Sequence, residues 1–183
     1  MILDDNPALD CTIKQHALTL PLLQTSGKTT MAIAIETDDL MSEEIAAILS
    51  VHLDLMRSSS PACSVHALDL DKLRQPDITF WAAWIDGRRV GCVAMKEIDQ
   101  THGEIKSMHT LEASRGQGIA DALLTHLEDE AKSRGYSRIS LETGRPEPFH
   151  AAHRLYRRFG YTECPPFGDY TEDPFSMCMT KEI

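Results

Sequence analysis

"SRGQGIADALLTHL", Ser114–Leu127, sets two glycines one residue apart at the mouth of an amphipathic helix. Ile119, Leu123 and Leu127 recur at four-residue spacing, and Ala120, Leu124 and Ala131 widen the apolar stripe. Lys132 and Arg134 in the last turn, with Gly135 just beyond, mark where the helix stops. Before it, "EIKSMHTL" (Glu104–Leu111) reads as a strand; after it, "YSRISLE" (Tyr136–Glu142) reads as another. A strand, a helix and a strand with short links imply a right-handed parallel crossover. Glycine is a poor helix former, so Gly116 and Gly118 at the helix start call for a reason. They either make a turn only or clear space for backbone N–H groups to hold a phosphate at the positive end of the helix. Arg115 adds a charge-assisted contact in the second case. No Lys-Ser/Thr pair follows, so this is not a Walker loop; position 121 is Asp, so it is not GxGxxG either.

Working outward, "MAIAIETDD" gives a strand over Met31–Glu36. A helix follows with Ser42 as N-cap and Ile45, Ile48, Leu49, Met56 and either His52 or Leu53 on one face. "SSSPAC" breaks it, and a short helix is expected around Leu68–Leu73. "ITFWAAWIDGRRVGCVAMKEI" holds two apolar runs joined at Asp86-Gly87, a hairpin signal, and His102–Leu111 continues the antiparallel meander. Trp81 and Trp84 lie three residues apart in a strand, hence on opposite faces. "EPFHAAHRLYRRFG" (Glu147–Gly160) is a second helix, with Phe149, Ala152, Tyr156 and Phe159 on one face and Arg154, Arg157 and Arg158 towards solvent. His150 and His153 on that helix lack a third metal ligand and read as solvated or capping residues. "FSMCMTKEI" closes the chain as a strand. The fold class is α/β: an antiparallel start, a parallel centre and helices covering both faces.

A length of 183 residues fits one domain, and 42% hydrophobic with 25% charged residues is ordinary for a globular chain. No apolar run approaches the ~18–20 residues of a membrane span, so no membrane partner is expected. A net charge of −10 with no basic stripe argues against a nucleic-acid partner. Five scattered cysteines without a CxxC pair indicate reduced thiols and a cytoplasmic protein, with no metal. Residues 1–30 read as an N-terminal extension, weakly ordered or docked on the surface, ahead of a domain at 31–183. Within it "HALTLPLLQ" is a poor signal peptide, and Met31 is an alternative start.

The spacing Arg115-x-x-Gly118-x-Ala120 after a strand resembles the coenzyme A signature of the GNAT N-acetyltransferase superfamily. "LYRRFGY" (Leu155–Tyr161) resembles its second landmark, and "GEIKSM", "LETG" and "DYTEDPFSMCM" look like a YsnE-type bacterial branch. The resemblance covers Met31 to Ile183 and implies a single GNAT-like domain whose fourth and fifth strands splay apart around the pantetheine. It implies acetyl-CoA as co-substrate and no metal. Met108, His109 and Thr110 would line the pantetheine, while Arg115, Gly116, Gln117, Gly118, Ile119 and Ala120 would cradle the pyrophosphate. It also implies Glu104 as general base and Tyr156 as the acid that protonates the leaving thiolate. Glu97 and Glu142 are reserve bases, and His109 a weaker one. The alternatives are a solvent-facing Glu104 paired with Lys106 and a Tyr156 that is simply core. Many members carry Asn where this chain has Phe149, so the resemblance does not carry that coenzyme contact over to this helix.

Acetyl transfer to an amine needs the neutral amine, and a lysine-like amine of pKa near 10.4 is roughly one-thousandth free base at neutral pH. That is about 4 kcal/mol of barrier, which a positioned base reduces. The oxyanion needs an N–H donor, and the resemblance implies the Met108–Thr110 amides for it. The expected reaction is direct attack by a primary amine of a small molecule or protein in a ternary complex; a homodimer is left open. A non-catalytic acyl-CoA-binding module and an interaction protein with a purely structural glycine turn are the rival functions. The resemblance also implies that acceptor selectivity comes from about Met56–Asp77 and Cys164–Pro174.

Overall fold

Asp86 and Gly87 have φ of 49° and 73°, both left-handed, the backbone of a tight hairpin turn matched to strand twist. They join β2 (Ile78–Ile85) to β3 (Arg88–Asp99). β1 (Ala34–Thr37) pairs antiparallel with β2 and begins later than the expected Met31. β4 (His102–Thr110) extends the meander on the far side of β3. This computed structural model describes residues 32–61, 64 and 66–183; the expectations for residues 1–30 and for Met31 lie outside them.

The remaining strands come after the crossover helix. β5 (Arg138–Gly144) runs parallel to β4, as the short links require. β7 (Ser176–Glu182) inserts antiparallel between β5 and β6 (Thr162–Cys164), giving the order β1-β2-β3-β4-β5-β7-β6. β6 carries no sequence signal, because three residues with two exposed positions show no apolar alternation.

α1 (Glu43–Ser59) starts where Ser42 Oγ accepts from the Ile45 N–H at 3.3 Å. Ile45, Ile48, Leu49 and His52 are its buried face, so His52 and not Leu53 turns inward. α2 (Leu70–Leu73), capped by Asp69, is shorter than expected. Both helices cover one sheet face, over Phe80, Ala82, Cys92 and Ala94. α3 (Ile119–Ser133) and α4 (His150–Arg158) contribute to the core on the other face, with Trp81, Val93, Ile139 and Leu141. Leu123, Leu124 and Leu127 are fully buried there, each burial being worth about 1.5–3 kcal/mol. Trp84 packs against the α1 side, opposite Trp81, as the alternation demands.

One irregularity prepares the site. Opposite β3, Cys92 faces His109 whereas Ala94 faces Lys106, so β4 holds one extra residue. Ser107 takes φ 50° within this bulge, a conformation costing on the order of 1–3 kcal/mol outside glycine. Bulges bend a strand. Pairing of β4 with β5 runs from His102↔Arg138 to Ile105↔Leu141 and stops. Past that point the two parallel strands separate, which is the expected splay.

Candidate active site

The separated strand ends open into a cavity of about 550 Å³. Met108, His109 and Thr110 of β4 line it, together with Glu142, Thr143 and Gly144 of β5, Arg115 and Ala120 beside the start of α3, and Phe149, Ala152 and Tyr156 of the second helical segment. Five of the nine residues expected to touch the coenzyme therefore line one cavity. Gly116, Gln117 and Gly118 form the exposed turn leading into α3, and the Ile119 side chain is in the core, leaving only its backbone at the helix start. Gly116 and Gly118 have φ of 75° and 83°, which is why glycine stands there. A Cβ at either meets no protein atom within 4 Å, so the space beside the turn is open. Gly118 provides no side-chain cap to α3. The cavity thus begins at a wide, uncapped helix N-terminus with Arg115 beside it, chemistry suited to an anionic group such as a pyrophosphate. Asp121 on the first turn is tied to Arg158 of α4 at 2.6 Å.

Phe149 is buried at the start of α4, and a Cβ on Gly144 would lie 2.4 Å from its ring. The aromatic residue fills the space against the end of β5. His153 is not solvated, contrary to the sequence expectation. Buried beneath α4, its Nε2–H donates to the Gly144 carbonyl at 2.8 Å, tying that helix to β5. Burial lowers its pKa, as does the charge of Arg157.

Tyr156 is buried, and its hydroxyl donates to Met108 Sδ at 3.4 Å. It is both a core residue and a cavity-lining one. Burial and the nearby Glu142 push its pKa up, so the phenol holds its proton. Glu104 is buried, not solvent-facing: Lys106 Nζ donates to its Oε1 at 3.0 Å and the Tyr170 hydroxyl donates to the same oxygen. Lys106 also donates to the Tyr170 oxygen at 2.6 Å and to the His66 carbonyl at 3.3 Å. Lys106, rather than Glu104, reaches the cavity wall. Glu142 lies on the same sheet face, just past the last β4–β5 pair, and accepts from Ser176 Oγ at 2.5 Å. Burial raises its pKa, opposed by the Ser176 hydroxyl and by the charges of His66 and Lys106. Glu97 is elsewhere, accepting from the Tyr136 hydroxyl at 3.0 Å near the other end of β4. His109 and His52 meet with ring centroids 5.3 Å apart, and burial lowers each pKa to about 4, so both are neutral and weakly basic.

Tyr170 escaped the sequence reading. It belongs to a polar loop, and only folding carries it onto two β4 side chains. Its ring also packs on His66 edge-to-face, and Ser64 hydrogen-bonds Asp173. The two loops expected to set selectivity thus touch one another beside the cavity.

Residues 45–161 match the Acetyltransferase (GNAT) family, and the chain belongs to it. It is accordingly an acetyltransferase that uses an acyl-CoA donor. Within the family it lies in the YsnE-type branch: it is 48% identical over 149 residues to the N-acetyltransferase YsnE of Bacillus subtilis (strain 168), a match covering 81% of this chain and 99% of that one. It is also similar to an acyl-CoA N-acyltransferase structure from Klebsiella pneumoniae, with TM-score 0.67 and 28% identity over 82% of this chain and 97% of that one. A GNAT acetyltransferase from Elizabethkingia anophelis, solved with acetyl-CoA bound, shares the fold at TM-score 0.62 and 19% identity, covering 82% and 98%. The cavity here suits an acetyl-CoA co-substrate: a glycine turn with open space, a helix start without a side-chain cap and an arginine at one end, and a phenol and the Glu142 carboxylate at the other.

Proposed function

We propose that the protein transfers the acetyl group of acetyl-CoA directly to a primary amine in a ternary complex. The observation carrying this reading is the single cavity that runs from the uncapped α3 start, between the separated ends of β4 and β5, to Tyr156 and Glu142. The backbone amides at Gly116–Ala120 and the Arg115 guanidinium hold the pyrophosphate. The pantetheine lies along Met108–Thr110, whose amides face the thioester oxygen and stabilise the oxyanion. The base takes one proton from the ammonium, and the amine nitrogen bonds to the acetyl carbon. The C–S bond breaks, the thiolate takes the Tyr156 proton, and the proton lost by the acetylated nitrogen restores the phenol. An ammonium and acetyl-CoA thereby become an amide, free coenzyme A thiol and one proton. Burial that raises the phenol pKa acts in the same sense on a thiolate beside it, which makes the thiolate a stronger base.

Glu104 is the proposed base, acting through the Tyr170 hydroxyl that it holds. Glu142 is the carboxylate with direct access to the cavity. The acceptor is a small molecule or an exposed protein amine, and the setting is the cytoplasm, where the free thiols Cys92, Cys164 and Cys178 stay reduced. Calorimetry with acetyl-CoA, followed by an amine panel read by thiol release, tests this function; absence of acetyl-CoA binding rejects it. The pH–rate profile of Glu104→Gln tests the base, since an acidic limb identical to that of the wild type removes Glu104 from the role.

A further inference from the structure

The charges at the acceptor end of the cavity do not balance. All three donors of the Lys106 ammonium are taken, by Glu104, by the Tyr170 oxygen and by the His66 carbonyl. Lys106 and Glu104 therefore neutralise one another, bridged by the Tyr170 hydroxyl. Glu142 has no such partner. Its hydrogen bond comes from the neutral Ser176 hydroxyl, and among the described residues it belongs to no ion pair.

A half-buried carboxylate that lines a cavity with no bonded cation, eased only by the more distant charges of His66 and Lys106, favours a ligand that supplies one. The position of Glu142 makes that ligand the acceptor. It follows Leu141, the last β5 residue paired with β4, and so stands at the fork where the thioester arm is placed. Tyr156 is close enough to feel its charge. Resting on the acetyl-transfer reading above, we propose that Glu142 anchors an acceptor subsite selective for a primary ammonium group with no carboxylate beside it. The three N–H donors of an alkylammonium match the free lone pairs of a carboxylate. An α-carboxylate on the acceptor meets the opposite situation. Lys106 is saturated, Arg158 is engaged by Asp121, and Arg115 stands at the pyrophosphate end. The added anion finds no unpaired lysine or arginine among the described residues near Glu142, where His66 is the remaining basic side chain, and the two like charges repel.

The test uses the full chain saturated with coenzyme A, which cannot react, and two probes of equal carbon skeleton: butylammonium and its α-carboxylated counterpart, 2-aminopentanoate. Calorimetry is expected to show butylammonium binding at least about tenfold more tightly than 2-aminopentanoate. Glu142→Gln keeps an oxygen for Ser176 and removes the charge. It is expected to weaken butylammonium by roughly tenfold or more while coenzyme A affinity is retained, which also confirms folding. Equal binding of the two probes, no butylammonium binding to the loaded wild type, or unchanged binding in Glu142→Gln overturns the proposal. Failure of the acetyl-transfer reading is separately visible as loss of coenzyme A or acetyl-CoA binding, or as no thiol release with any amine. With acetyl-CoA present, kcat/KM for butylamine is expected to fall about 10²-fold in Glu142→Gln, with a rise in KM contributing.

Discussion

The Tyr156 hydroxyl is 3.4 Å from Met108 Sδ, linking α4 to the freed end of β4 across the cavity. A thioether is a weak acceptor, so this contact holds the phenol in place without consuming its proton. Replacing Tyr156 by Phe removes that proton and little else. Turnover is expected to drop by about 10²-fold or more with acetyl-CoA affinity retained. Steady-state kinetics beside calorimetry measure both; unchanged kcat assigns Tyr156 to the core alone.

Gly118 separates the two meanings of the glycine turn. Its φ of 83° makes any L side chain there costly, by roughly 1–2 kcal/mol. A Cβ meets no protein atom within 4 Å, so no clash inside the free protein adds to this strain. Gly118→Ala is therefore expected to lose modest stability, whereas Gly118→Val also puts its methyl groups into the open space assigned to the phosphates. Acetyl-CoA affinity should fall on the order of tenfold or more in the valine variant and less in the alanine one. Equal, unaltered affinities in calorimetry leave the turn with a structural role only.

Much of this was legible because the relevant signals are local. Ile119, Leu123 and Leu127 declare the crossover helix, Asp86-Gly87 the hairpin, and Ser42 the start of α1. The cradle follows from the same stretch, since glycines at positive φ precede a helix with no side-chain cap. What was not legible depends on partners distant in sequence. Tyr170 reaches Glu104 across 66 residues, and nothing in its polar neighbours announces the contact. His153 resembles a solvated helix residue until β5 brings the Gly144 carbonyl beneath it. The strand splay begins where β4 holds one extra residue at Ser107, and alternation alone does not reveal a bulge.

The Glu104–Lys106–Tyr170 triangle gives a stability prediction. Both charges are buried, with side chains 6% and 9% exposed, so removing one leaves the other without its counter-ion. Lys106→Met is expected to destabilise the fold by about 3–5 kcal/mol. Adding Glu104→Gln removes the stranded charge and should recover much of that loss. Urea unfolding of the two single variants and the double variant measures the coupling. Simple additivity rejects a closed ion pair.

His52 and His109 make stability depend on pH in a definite direction. Burial lowers each folded-state pKa to about 4, with His109 acting on His52 and Arg115 on His109. The unfolded chain titrates near the ordinary 6.5, so between about pH 6.5 and 4 it binds more protons than the folded one. Stability is accordingly expected to fall as pH drops through that window, with an upper bound of about 3 kcal/mol per histidine for the full shift. His102 and His153 shift in the same direction, while Glu142, raised by burial, opposes part of the loss. His52→Leu removes one member and the repulsion it shares with His109, so the decline should become clearly shallower. Urea midpoints at neutral pH and at two points within the window compare the two proteins. Parallel declines would show that the imidazole pair does not govern acid sensitivity.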